Sequence, residues 1–221
     1  MSEQERLVVL DTETTGLTND DRIIEIGAIL LLDRRPAKKF HVYINPEGRS
    51  SHPSALNVHG ITDAFLSDKP LFSEIYRTFL DFVSGATLVI HNATFDMRFL
   101  QAELDRVGYQ VKLRDLCPVC DTIDLAKAAF PGQKYNLDAL CRRFGIDIEH
   151  RTLHGALKDA DLLVKVYLQL TQNQANLGLS EESLMQQQEQ DVWDGPVTIL
   201  AADDSELEQH RLFEEWLAEG K

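Results

Sequence analysis

Apolar and polar positions follow two periods along the chain. Leu7-Val8-Val9-Leu10, ending on Asp11, is the continuous apolar run of a strand buried on both faces. Thr12–Thr18 reads as a loop, with Gly16 free to take a positive φ. Arg22–Leu32 and Lys39–Ile44 are two more strand-like runs, and the polar break Asp33-Arg34-Arg35-Pro36 between them predicts an antiparallel hairpin. Asn45–His59, with Pro46, Gly48 and Pro53, reads as a long loop. The period then changes. Phe72, Ile75, Tyr76, Phe79, Leu80 and Val83 recur at helical spacing across Leu71–Val83. Thr87–Ile90 is a strand, and Phe95–Val107 a helix that Gly108 closes. A short strand is expected near Val119–Thr122, with short helices at Thr122–Phe130 and Leu137–Phe144 and a strong one at Ala156–Leu170. This order predicts one α/β domain over residues 1–171, with a mixed central sheet flanked by helices.

Beyond Leu170 the apolar period is lost. Residues 172–191 are rich in glutamine and read as a flexible linker. Residues 192–221 regain a strand-like Val197–Leu200 and a capped amphipathic stretch, Ser205–Ala218, whose Leu207, Leu212, Phe213, Trp216 and Leu217 form a sticky face. Such a tail cannot bury much alone and suits docking to a partner.

Composition narrows the classes. Hydrophobic residues make up 43% of the 221, enough for a core, and no run nears about 18 apolar residues, so no membrane span is expected. The polar, acidic start Met1–Arg6 is unlike a signal peptide, and three cysteines are too few for a disulfide framework; both point to the cytoplasm. The formal net charge of −14 is unevenly spread: residues 172–221 carry twelve acids and two bases, leaving only −4 on residues 1–171. Neither part has the basic surface of a protein that grips nucleic acid by charge alone. A polyanionic substrate would need bound cations, a local basic patch or a partner.

The candidate chemistry is carboxylate chemistry. Asp11 and Glu13 lie two apart at a strand end, so both side chains can face one cavity. Asp96 falls in the first turn of a helix, where an acid also serves the helix dipole. Asp159 lies beside an apolar stripe, where an unpaired charge is costly. His154, just before that helix, can swing with Gly155 toward the same cleft. Four converging carboxylates could not all ionise without cations, and oxygen ligands favour Mg²⁺ or Mn²⁺. Two such ions roughly 3.5–4 Å apart clamp the attacking and leaving oxygens of a phosphoryl displacement. A histidine suits deprotonation of the attacking water. Cys117-Pro118-Val119-Cys120 could suggest zinc or redox chemistry, but only Cys141 and His150 are near enough to complete a zinc site. Lys134, Arg142, Arg143, Arg151 and Lys158 either line a DNA path or are solvated faces of two helices.

Leu10-Asp11-Thr12-Glu13-Thr14-Thr15-Gly16, His91-Asn92-Ala93-Thr94-Phe95-Asp96 and His154-Gly155-Ala156-Leu157-Lys158-Asp159-Ala160 resemble the three exonuclease motifs of the histidine-bearing branch of the DEDD superfamily. Val58–Ile61 and Asn136–Cys141 also look like segments of that family, and the likeness spans about residues 6–171. Within it the chain is most similar to the epsilon-type proofreading subunits of bacterial DNA polymerase III. The resemblance implies a ribonuclease H-like exonuclease fold and 3′→5′ removal of mispaired terminal nucleotides from DNA as nucleoside monophosphates. It implies that Asp11, Glu13, Asp96 and Asp159 bind two divalent cations, Mg²⁺ or Mn²⁺, with His154 as general base. Asp11, Glu13, Asp159, Thr14, His59, Asn92 and Phe95 would meet the terminal nucleotide. Ser54 stands where relatives often carry an acid, which leaves a substrate contact there in doubt. In the tail, Gln174, Leu177 and Leu179 of residues 174–179 resemble a peptide that docks on the beta sliding clamp, against the alternative of one more glutamine in a polar linker. Residues 192–221 would bind the polymerase alpha subunit, and a small theta-like subunit is a further possible partner. The rival reading is a free-standing exoribonuclease of the same superfamily that trims RNA 3′ ends. A non-catalytic scaffold is disfavoured because all four acids and the histidine are present.

Overall fold

The computed structural model describes residues 5–148 and 153–188, with only the backbone course given for 173–188. By internal contacts the chain divides into two units, residues 1–177 and 178–221. The first contains a five-stranded sheet in the order β3-β2-β1-β4-β5. Here β1 is Arg6–Thr14, β2 Ile23–Leu32, β3 Arg35–Tyr43, β4 Thr87–Ile90 and β5 Val119–Asp121. β1 pairs antiparallel with β2 and β2 with β3, whereas β4 runs parallel to both β1 and β5. The expected mixed sheet is present. The β2–β3 hairpin turns on Asp33 and Arg34, both at positive φ (48° and 64°), the geometry of a tight two-residue turn.

Alternation along β1 sorts the core into two layers. Val8 and Leu10 join β2 residues Ile26, Ala28 and Leu30 in a cluster with α3 (Phe72–Val83) and α4 (Ala93–Arg106). Leu7 and Val9 point the other way, with Ile29 and Leu31, onto Ala160, Leu163, Val164 and Tyr167 of α8 (Ala156–Gln188). That two-sided burial is why β1 and β2 read as near-continuous apolar runs. A third cluster packs α6 (Thr122–Ala129) and α7 (Leu137–Arg143) against α8 through Ala126, Leu140, Cys141, Val166 and Leu170.

Four helices depart from the sequence pattern. Within the expected long loop, Pro53–His59 forms α1, followed by α2 (Asp63–Leu66) and, further on, α5 (Leu113–Leu116). Pro53 starts α1 rather than breaking it, because the first helical position needs no N–H, and the His52 side chain accepts from Ser54 N. α8 continues from Leu170 to Gln188, so the backbone of much of the expected linker is helical. Gln, Ala, Asn and Leu there are tolerable helix formers and no proline intervenes, so the ladder extends without an apolar stripe. The side chains of Gln174, Leu177 and Leu179, and all of residues 189–221, lie outside the described residues, as do residues 149–152.

Cys117 donates its thiol to Val83 O at 3.3 Å inside the core, and Cys141 is buried against α8, so both act as small core residues. No helix among the described residues is long and apolar enough to cross a membrane.

Candidate active site

The same alternation aims the acids. Asp11 and Glu13 continue the face of Leu7 and Val9, the face α8 covers, whereas Thr12 continues the face of Val8 and Leu10, which α3 and α4 cover. A register shift between Glu13 and Thr14 ends the regular β1–β2 ladder at this point.

On the α8 side, ligand atoms of Glu13, His154 and Asp159 lie within 4.8 Å of one another. His154 Nδ1 stands 3.0 Å from Asp159 Oδ2. The backbone sets both residues: His154 N donates to Val58 O of α1 at 3.0 Å, and Asp159 N to Gly155 O at 2.9 Å in the first turn of α8. Asp11 shares a cavity of about 360 Å³ with His91, Asn136, Asp138, His154 and Asp159.

Asp96 reaches β1 from the other face. It is buried, and its Oδ1 accepts from Thr12 Oγ1 at 2.7 Å. Burial, reinforced by the nearby Asp121 charge, lifts its pKa to about 7 against the opposing hydrogen bonds from Thr12 and its own backbone. Asp11 and Glu13 at the end of β1 and Asp159 at the start of α8 therefore share one side of the sheet, and Asp96 meets the same strand end from the start of α4 on the other. Asp121 anchors this arrangement. Its Oδ2 accepts from Ala93 N at 2.8 Å and its Oδ1 from Asn92 N and Ile123 N at 3.1 and 2.9 Å, so one carboxylate caps both α4 and α6. Asn92 itself takes φ 65°, a left-handed position that this cap holds.

Beside Glu13 lies a second cavity of about 300 Å³, lined by Thr12, Thr14, Leu17, Ser54, Ala55, Val58, His59 and Phe95. Three expected substrate residues, Thr14, His59 and Phe95, thus share one wall system with Glu13; Asn92 lines neither cavity. Thr14 Oγ1 donates to Gly16 O at 2.7 Å. His59 Nδ1 accepts from Ile61 N at 2.9 Å, which places the ring proton on Nε2. That Nε2 is buried and has no hydrogen-bond partner among the described residues. Burial lowers the His59 pKa, so the ring is neutral at neutral pH. Phe95 packs on Phe99 with ring centroids 4.8 Å apart and the planes tilted by 53°. Leu17, exposed at 73%, is an apolar side chain at the cavity mouth.

Sequence reasoning assigned no role to His91, Leu17 or Val58. His91 Nδ1 is 2.8 Å from Thr122 Oγ1, and burial lowers its pKa. A place inside a family-like segment was the available signal for His91 and Val58; Leu17 had none.

The oxygen-rich donor set and a desolvated Asp96 both fit a hard divalent cation, since a neighbouring positive charge is what would keep such an acid ionised.

An α/β fold with acids around the end of β1 and a cavity alongside is consistent with the exonuclease class, and the Exonuclease (RNase T) family model matches residues 8–167. The DNA polymerase III subunit epsilon of Haemophilus influenzae is 49% identical over 186 residues, covering 81% of this chain and 72% of its own. That of Escherichia coli is 45% identical over 192 residues, covering 83% and 79%. Among solved structures, E. coli exonuclease I in complex with a dT13 oligonucleotide superposes with a TM-score of 0.69 at 18% identity, over 79% of this chain and 42% of that one, a likeness of fold. The chain belongs to the exonuclease family and, within it, to the DNA polymerase III epsilon subunits.

Proposed function

We propose that this chain removes mispaired 3′-terminal nucleotides from DNA by hydrolysis, releasing nucleoside monophosphates, as the proofreading subunit of a replicative polymerase. The observation that carries the reading is the gathering of Glu13, His154 and Asp159 within 4.8 Å, beside a slot lined by Thr14, His59 and Phe95. Asp159 accepts from Nδ1–H of His154, which makes Nε2 the basic nitrogen of the neutral ring. His154 takes the proton of a water whose oxygen attacks the terminal phosphorus, while the bond from phosphorus to the 3′ oxygen of the preceding nucleotide breaks. Asp11, Glu13, Asp96 and Asp159 would hold divalent cations, Mg²⁺ or Mn²⁺, which supply positive charge to the phosphate oxygens and the water. The Nε2–H of His59 offers a neutral donor to the terminal nucleotide without attracting phosphate non-specifically. Phe95 and Leu17 offer apolar surface to its base.

The tail completes the proposal. Residues 192–221 dock on the alpha subunit, residues 174–179 on the beta clamp, and a theta-like subunit binds the body. Tethering raises the local concentration of the nuclease at the primer end, so an acidic body needs no strong DNA grip of its own.

The test is digestion of a 3′-mismatched DNA primer and of an RNA 3′ end, with and without chelator. Release of the mismatched nucleotide that stops on chelation is expected. Equal or faster trimming of RNA would replace the reading with the exoribonuclease one.

A further inference from the structure

β2 seats the first turn of α8 at two neighbouring positions on the face turned toward it. The first is Gly27, whose absent side chain admits the α8 backbone: a Cβ there would collide with Ala156 and Leu157. Gly27 is also the register partner of Asp11, so α8 comes down over β2 directly beside that acid. The second is Glu25, the register partner of Glu13. Glu25 is 2% exposed, and nothing in the reaction described above uses it. Its Oε2 accepts from Ala156 N, the first residue of α8, at 3.1 Å in buried surroundings. Its Oε1 accepts from His41 Nε2 of β3 at 2.7 Å. Gly155 lies against the same carboxylate, since a Cβ on it would stand 3.8 Å from Glu25 Oε2.

A buried carboxylate is costly, and here it spends its two oxygens on a strand and on a helix start. The first turn of α8 is also where the reaction is organised: His154 precedes Ala156 by two residues, and Asp159 follows by three. A helix start moves as a unit, because Asp159 N is bonded to Gly155 O. A shift of Ala156 therefore carries His154 and Asp159 away from Glu13 together, and misplacement of catalytic groups by about 1 Å can cost about a hundredfold in rate.

We propose that Glu25 is a positioning residue: by clamping the first turn of α8 to β2, it holds His154 and Asp159 in register with Asp11 and Glu13. This rests on the assignment of His154 and Asp159 made above. Glu25 lines neither cavity, so the effect falls on turnover rather than binding.

The experiment compares E25A, E25D, E25Q and D159A in the full chain, using single-stranded DNA with Mg²⁺, with kcat and KM separated and folding checked by thermal melts. Gln keeps both contacts, since its oxygen accepts from Ala156 N and its NH₂ donates to a neutral His41. Asp keeps the charge but withdraws the oxygens by one methylene. The expected result is a kcat at least tenfold lower in E25A and E25D at a KM within twofold, with E25Q within about threefold of the parent. If E25A does not fold, E25D against E25Q decides. Full kcat in E25D, an equal loss in E25Q and E25D, or a loss confined to KM would overturn the clamp. An active D159A would overturn the site assignment itself, whereas an inactive D159A beside a fully active E25D would remove Glu25 alone.

Discussion

Thr12 and Asp96, 84 residues apart, meet in a buried hydrogen bond of 2.7 Å from the threonine hydroxyl to the carboxylate. The bond joins the end of β1 to the first turn of α4 across the sheet face opposite α8. It also means that the strand segment Asp11-Thr12-Glu13 serves two layers at once, its acids facing α8 and its threonine holding the acid of α4.

This geometry predicts a pH effect on stability. Burial raises the Asp96 pKa to about 7 in the folded chain, above the value near 4 of an unfolded aspartate. The folded state therefore binds the proton more tightly, and in metal-free protein stability falls as pH rises from about 4 to about 7, by on the order of a few kcal/mol. Asp96→Asn should flatten that decline in melts run with chelator, and Mg²⁺ should raise the parent's melting temperature more at pH 8 than at pH 5. Parallel pH profiles for parent and variant would contradict the assignment.

His154→Gln should lower kcat about 10²–10⁴-fold with little change in KM, because only proton transfer is lost. Steady-state rates of parent and variant at saturating Mg²⁺ decide the matter.

Asp21 is the hub of the loop after β1. Burial works against its charge, but hydrogen bonds from Thr18 N and Oγ1, Arg49 Nε and Thr15 Oγ1 outweigh it and lower the pKa to about 2. A lowered folded pKa contributes stability above about pH 4 that disappears as pH falls toward 2. Asp21→Asn should cost about 2 kcal/mol in urea unfolding at pH 7 and visibly less at pH 3.

Arg22 and Glu103 form a two-pronged pair, Nε to Oε1 at 2.7 Å and the NH2 nitrogen to Oε2 at 2.9 Å, with Glu103 only 1% exposed. Arg106 and Ile23 N also donate to Glu103 Oε1, so the pair ties α4 to the start of β2. Arg22→Ala should destabilise by about 3–5 kcal/mol, since it leaves a buried charge short of its main partner. Arg22→Lys should recover only part of this, for it cannot reproduce the fork. Urea midpoints of the two variants provide the measurement.

Much of this was legible in the chain itself, because it rests on local periodicity. The apolar runs of β1 and β2, the hairpin at Asp33, and the helices at Leu71–Val83 and Ala156–Leu170 need only neighbours to be recognised. So does the pairing of Asp11 with Glu13 on one strand face, which follows from the two-residue repeat of an extended chain. Other features were invisible, since they depend on residues far apart in the sequence. Glu25 looks like an interruption in an apolar strand until Ala156, 131 positions away, brings it a backbone N–H. Gly27 looks like an ordinary strand glycine until α8 is laid across it. Pro53 looks like a helix breaker until the chain begins a helix there. Periodicity selects strands, helices and the faces they bury; sheet order and close backbone approach, which no local window contains, decide which helix meets which strand and so where the acids, the histidine and their supports converge.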